Sequence, residues 1–386
     1  MPIKNRIAEF EGEMREWRHD FHMHPELCYE ETRTAGIVAE KLRSWGIETH
    51  EGVGRTGVVG VIKGNGLGTR AIGIRADMDA LPMQEVSNPE YKSTIPGKMH
   101  ACGHDGHTST LLGAAKYLAE TRNFDGTVNL YFQPAEEGGA GARTMIEDGL
   151  FERFPCDAVY GLHNMPQLPK NTFGIRKGPL MAGADSVTIT IKARGGHAAM
   201  PHMAIDPIAI GTQIYQAAQT FVSRSINPFD TAVVSITQFH AGDAYTVIPE
   251  TVELRGTVRC FDAALKARLE QRFRDAVDAT AQFHGLKAEF DYQARYPATI
   301  NTPQHAARCA EVLETLTGIG KVRRDMPPSM GSEDFAFMLE QCPGAYIWLG
   351  NGDSAALHNP AYDFNDAIAP LGVAYWQALV QKLLNE

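Results

Sequence analysis

The sequence predicts an α/β fold interrupted by a smaller α+β domain. Three observations carry this expectation. Between residues 58 and 163, apolar strands run repeatedly into acidic or histidine-bearing loops. From about Gly183 the order becomes β-α-β-β-α-β, that of a ferredoxin-like unit. Beyond about residue 295 the α/β texture returns. The expected division is a main domain formed by residues 1–183 and 295–386, with residues 184–294 inserted into it.

At 386 residues the chain is long enough for two or three domains and a large core. Lys and Arg number 36 against 46 Asp and Glu, so net charge is 36 − 46 = −10. That argues against a nucleic-acid partner, which calls for a basic face, and against an anionic membrane. The six cysteines (28, 102, 156, 260, 309 and 342) form no CxxC pair, and a chain this long has no need of disulfide staples. They read as free thiols, five of them as small buried hydrophobes. Met1–Arg6 leads into a charged helix rather than a secretory signal, and no apolar run approaches the roughly 18–20 residues of a membrane span. A reducing, cytoplasmic home is expected.

The first helix follows the stripe Ile3, Ile7, Phe10, Met14, Trp17 and Phe21, and ends near His22-Met23-His24-Pro25-Glu26, where Pro25 disfavours helix in the residue before it. A second helix runs from about Glu31 to Trp45. Strands follow at Val58–Ile62 and Ala71–Ala76, the latter entering Asp77-Met78-Asp79. A helix is expected over Leu111–Leu118, then a strand from Gly126 into Gln133-Pro134-Ala135-Glu136-Glu137-Gly138-Gly139. Ala158–Leu162 reads as a strand ending in His163-Asn164-Met165-Pro166. In the inserted domain, strands are expected over Ser186–Ala193, Thr231–Phe239, Thr251–Cys260 and Lys287–Tyr292. Its helices are expected over Pro207–Val222 and Ala263–Phe283. The remainder reads as a helix over Pro303–Thr317, a helix opened by Met330-Gly331-Ser332-Glu333-Asp334-Phe335, a strand over Ala345–Gly350 and a closing helix over Leu371–Leu384.

The densest chemistry lies in Met99–Ser109, where His100, Cys102, His104, Asp105 and His107 share eleven residues with two glycines. Such polar side chains need partners when packed together, and a metal is a common one. Three strand ends carry Asp-x-Asp, Glu-Glu and His, matching the place where open α/β sheets hold ligands. Cys102, His104, Glu137, His163 and His358 are enough ligands for two ions, which would bring the pKa of water from 15.7 to about 7 and polarise a carbonyl. Glu136 would handle the proton. Spacing does not establish that these residues converge.

The sequence resembles the M20 metallopeptidases, in particular their amidohydrolase branch of hippurate hydrolases, N-acyl-amino-acid amidohydrolases and indole-3-acetyl-amino-acid hydrolases. The motifs are His22–Glu26, Ala76–Pro82, His100–His107, Gln133–Gly139, Gly161–His163, Gly195–Pro201, Met330–Phe335 and Leu357–Pro360. The resemblance implies a zinc-peptidase-like catalytic domain with a mixed sheet flanked by helices, and an inserted ferredoxin-like dimerisation or lid domain. It implies two divalent ions, Mn or Zn with Co or Ni as options, held by Cys102, His104, Glu137, His163 and His358. Glu136 would be the general base. His197 would serve the partner subunit's site by stabilising the oxyanion, in a homodimer or dimer of dimers. The implied activity is cleavage of the amide bond of a small N-acyl amino acid. A metallo-carboxypeptidase or dipeptidase with the same centre is the alternative, and a non-catalytic metal-binding protein a more distant one.

The chain departs from that pattern at Asp77-Met78-Asp79, where other branches carry His-x-Asp, and at Thr246, where relatives often carry Asn before Val-Ile-Pro. Asp79 and Asp105 are therefore expected to orient ligands rather than bind metal, and His107 to support the helix start. Asn164, Arg255 and Arg259 are candidates for holding the substrate carboxylate.

Overall fold

The computed structural model describes residues 5–386. It contains a large mixed sheet flanked by helices and a second, four-stranded sheet, as the sequence predicts. The chain divides into two compact units. One comprises the chain up to Leu180, Ile300–Pro327 and Asp334–Glu386; the other comprises Met181–Thr299 and Pro328–Glu333.

In chain order the main strands are β1 (Glu48–Val53), β2 (Gly57–Lys63), β3 (Ala71–Asp77), β4 (Thr127–Gln133), β5 (Ala158–Pro166), β6 (Gly183–Lys192), β7 (Ala232–Ala241), β8 (Thr251–Cys260), β9 (Ala288–Tyr296) and β10 (Gly344–Gly352). The main helices are α1 (Glu11–Met23), α2 (Thr32–Ser44), α3 (His104–Thr121), α4 (Pro207–Thr220), α5 (Ala263–Phe283), α6 (Pro303–Thr317) and α7 (Ala369–Leu384).

In the first unit the sheet order is β1-β2-β4-β3-β5-β10, completed by the short strands Phe173–Gly174 and Val322–Arg323. The central four, β4, β3, β5 and β10, are mutually parallel, so their carboxyl ends open on one side. Parallel strands with both faces covered are expected to be apolar throughout. β4 is buried from Val128 to Gln133 and β10 from Gly344 to Asn351. Helix α3 is buried on nearly every face, which suits a central rather than a surface helix. Gly113 allows α1 to approach α3 closely: a Cβ there would meet Met14 Sδ at 2.4 Å.

The predicted first helix is two helices, Asn5–Glu9 and α1, broken at Phe10; Ile7, Phe10, Met14 and Phe21 are all buried. Ile3 lies outside the described residues. The Glu26 carboxylate accepts hydrogen bonds from Arg33 and Thr34 N–H, satisfying donors at the start of α2. Two expectations need correcting. The strand expected over Ala158–Leu162 runs on through His163-Asn164-Met165-Pro166, because β10 supplies a parallel ladder that far, with Trp348 opposite His163. The Met330–Phe335 motif does not open a helix at its start; the helix there covers only Ala336–Gln341.

The second unit has strand order β7-β8-β6-β9, antiparallel throughout, the arrangement of a ferredoxin-like sheet. Alternate residues of β6 (Val187, Ile189, Ile191) pack with Ile210 and Ile214 of α4 and with Leu265, Leu269, Phe273 and Val277 of α5.

Candidate metal centre

The Cys102-Gly103-His104 turn positions the first ligands. Gly103 has φ +91°, and a Cβ there would meet Asn164 Oδ1 at 2.3 Å and Tyr362 Oη at 2.6 Å. Only glycine satisfies both demands without strain. The turn places Cys102 just before α3 and His104 as its first residue.

All five sequence-predicted ligands and Glu136 converge. Potential ligand atoms of Cys102, His104 and His163 lie within 4.8 Å of one another, and so do those of Cys102, Glu137 and His358. The two triads share Cys102. A third set joins His104, Glu136 and Glu137. Cys102 Sγ is 3.3 Å from His163 Nε2, and His358 Nε2 is 3.0 Å from Glu137 Oε1. His163 Nδ1 faces its neighbour's carbonyl, Asn164 O, at 2.6 Å, which turns Nε2 towards the cluster.

Asp79 organises this array without joining it. Its Oδ1 accepts from Glu136 N–H at 3.0 Å and its Oδ2 from Glu137 N–H at 2.9 Å. Oδ1 also lies 3.2 Å from His104 Nδ1. One buried carboxylate thus fixes the Glu136-Glu137 loop and orients a histidine. That loop is bracketed by Ala135 and Ala140, both in left-handed backbone. The Cys28 thiol donates to Glu137 O at 3.0 Å, adding a contact that sequence reasoning missed.

The donor set fits cations. His104 Nε2 is buried, has no hydrogen-bond partner and lies 3.6 Å from Asp77 Oδ2. Burial opposes charge on His104, but Asp77 and Asp79 outweigh it and push the ring up to about 10. Burial, with Glu137 and Glu136 nearby, holds the Cys102 thiol well above its usual range. A site that favours a proton on histidine and denies charge to a thiol is negative and needs a cation to stabilise the thiolate. Burial and His107 keep His163 neutral, the form that binds metal.

A deeper network backs the cluster. Arg75, fully buried, donates to Asp77 Oδ2 at 2.7 Å, Asp334 Oδ1 at 3.1 Å and Gln133 Oε1 at 2.7 Å. Asp334 in turn presents its N–H to Glu136 Oε1 at 3.4 Å. His107 uses both ring nitrogens, on Asp77 Oδ1 at 2.6 Å and Asn164 Oδ1 at 2.8 Å. It bridges two strand ends rather than merely supporting the helix start.

Other candidates lie elsewhere. Asp105 bonds His22 Nδ1 at 2.9 Å and Arg18 at 3.4 Å, and among the described residues it joins none of the ligand groups. Burial disfavours charge on His22, yet Asp105 and Glu85 push it up to about 9. His24 bonds Asp20 O, so neither of these histidines joins a ligand group. Asn164 is a correction: it is buried, and its amide is committed to His107 and, as donor, to Tyr362 Oη. Burial and these partners take the amide away from the exposed position that carboxylate binding was expected to need. Arg255 is exposed and paired with Glu253 at 2.8 Å. Arg259 is half-buried and donates to Thr257 and Ser332. His197 is exposed on the short strand Gly196–His197, opposite Val247, with Nδ1 accepting from Ala199 N–H at 3.0 Å.

This mixed α/β fold and this cysteine–histidine–carboxylate cluster define a hydrolase with a metal-binding site. Residues 73–382 match peptidase family M20/M25/M40, and the chain belongs to that family. It is 43% identical over 385 residues to hippurate hydrolase of Campylobacter jejuni, covering all of both chains. It is 38% identical over 374 residues to N-acetylcysteine deacetylase of Bacillus subtilis, covering 95% of this chain and 96% of that one. A crystal structure of a Bacillus subtilis dinuclear metal-binding peptidase of the M20 family superposes with TM-score 0.84 at 35% identity, covering 98% and 99% of the two chains.

Proposed function

We propose that this chain is a metal-dependent amidohydrolase that cleaves the amide bond of N-acyl amino acids. The observation that carries the reading is the pair of donor triads sharing Cys102, with Glu136 beside them. The relatives support the substrate class: one is a hippurate hydrolase and another an N-acetylcysteine deacetylase. Cys102, His104, Glu137, His163 and His358 would hold two divalent ions, Mn or Zn. Bound there, such ions supply acidified water and a polarised amide carbonyl. Glu136 takes a proton from the water and delivers it to the leaving amine. Asp79 holds both glutamates in register for these tasks.

His197 acts across a dimer formed through the inserted domain, donating from its exposed ring to the oxyanion in the partner's site. His197→Ala should lower kcat by roughly 10²–10³-fold, the cost of one oxyanion donor. Mixing Glu136→Gln with His197→Ala subunits should restore part of the activity, measured as hydrolysis rate per site. A fall below threefold in the single variant sinks this role. The reducing, cytoplasmic setting belongs to the same reading, supported by free thiols at all six cysteines.

The decisive measurement is a panel of N-acetyl and N-benzoyl amino acids, each assayed after chelation and after refilling with Mn, Zn, Co or Ni. Activity should vanish with chelator and return with metal. A second reading, a metallo-carboxypeptidase, is favoured by 37% identity over 394 residues to thermostable carboxypeptidase 2 of Saccharolobus solfataricus. Faster cleavage of peptidyl than of simple acyl substrates would select it.

A further inference from the structure

We propose that Cys156 and Cys342 form a thiol–disulfide site, a reversible covalent tie between the amino ends of β5 and β10, with low-molecular-weight disulfides as its oxidant. The two sulfurs already lie 3.6 Å apart. Cys342 Sγ also approaches Cys156 O at 3.4 Å. The residues precede neighbouring parallel strands that are locked in register: Gly344 pairs with Val159, and Val159 N–H donates to Pro343 O at 2.9 Å. That register sets Cys342 opposite Asp157, one residue from Cys156. A strand spacing of about 4.8 Å with one step of about 3.3 Å gives a diagonal of about 5.8 Å, inside the roughly 4.4–6.8 Å Cα separation that a disulfide requires. Closing the sulfurs to about 2.05 Å therefore needs side-chain rotation rather than movement of a strand.

The pair is also chemically divided. Cys156 is partly buried between exposed Pro155 and Asp157, whereas Cys342 is buried. The contact between the two sulfurs lowers the Cys156 thiol from its usual value and raises that of Cys342. Cys156 is thus the more exposed residue of the two and the one whose thiol is lowered. Its thiolate attacks one sulfur of a small disulfide, forming a mixed disulfide and releasing one thiolate. Cys342 then gives up its proton and attacks the Cys156 sulfur, releasing the second thiolate. The two protein thiols are oxidised, and the small disulfide is reduced to two thiols.

The site is separate from the metal centre. Cys156 precedes His163 by seven residues along an extended chain, a distance of about 23 Å at roughly 3.3 Å per residue. The tie would enclose residues 157–341, including the whole of Met181–Thr299, in one loop. Closing a long loop restricts the unfolded chain, so the oxidised form should be the more stable one.

The test uses the full chain. Wild type is incubated with oxidised glutathione, free thiols are alkylated under denaturing conditions, and peptides are mapped by mass spectrometry without reductant. The expected product is a Cys156–Cys342 linked peptide, two hydrogens lighter than the reduced pair. An unfolding midpoint several degrees higher should accompany it, and dithiothreitol should reverse both. In Cys342→Ser the resolving thiol is absent, so glutathione should remain on Cys156. The proposal is overturned if wild type retains glutathione on Cys156, or if both cysteines stay alkylatable while other thiols oxidise. A linked peptide with an unchanged midpoint would overturn the structural tie.

Discussion

Glu136→Gln is expected to lower kcat for N-acyl amino acid hydrolysis by roughly 10²–10⁴-fold, the usual contribution of a positioned acid–base group. Glutamine preserves the shape and the backbone bond to Asp79, which accepts from the residue's main-chain N–H at 3.0 Å. It cannot take a proton from water. The side chain is buried, so bulk water is a poor substitute for the lost base. Metal content, measured by elemental analysis, should be unchanged, because Glu136 is absent from both triads that share Cys102. Glu137→Gln should behave differently, losing metal together with activity, since Glu137 belongs to one of those triads. If Glu136→Gln loses metal in parallel with rate, Glu136 is a ligand; if it keeps activity within threefold of wild type, it is not the base.

The ligands were legible because their chemistry is concentrated in short motifs. Cys102 and His104 stand two residues apart beside a turn-forming glycine, and Glu136-Glu137 follow a strand of unmistakable apolarity. The inserted sheet was legible too, since β6 alternates buried and half-buried positions with period two. What sequence reasoning missed has a physical pattern. β1 is an edge strand of mostly exposed residues, so it shows no apolar alternation. The left-handed turns at Ala135 and Ala140 carry no glycine or asparagine to announce them. The setting of Asn164 was not legible because its partners, His107 and Tyr362, are 57 and 198 residues away. Arg75 left a signal that went unused. A charged residue inside a buried strand requires partners, and the nearest same-face position, two residues on, is Asp77.

Arg75→Met should therefore destabilise the fold by about 3–5 kcal/mol, the cost of removing one partner from a buried ion network. Methionine matches the length and keeps the apolar contacts of the stem, but leaves Asp77 and Asp334 buried without their shared cation. Both carboxylates show essentially no exposure, so water does not replace the guanidinium. Urea unfolding of chelated protein would read this loss without the contribution of bound metal. The pH dependence has a definite sign. Burial works against charge on Asp77, but His104, Arg75 and His107 hold it well below the usual carboxylate range. A carboxylate depressed in the folded state stabilises above its unfolded pKa, near 3.9, and that contribution fades as pH falls through its folded value. The gap between wild type and Arg75→Met should accordingly be widest near neutrality and narrow on acidification, as the buried carboxylates that have lost the guanidinium take up protons. Asp334→Asn in the Arg75→Met background should recover part of the stability, because it removes one of the two buried charges that the guanidinium had balanced. A gap that stays constant from pH 7 to pH 4 would mean that Arg75 contributes packing alone. The guanidinium would then have no part in fixing Asp334, whose N–H faces the Glu136 carboxylate.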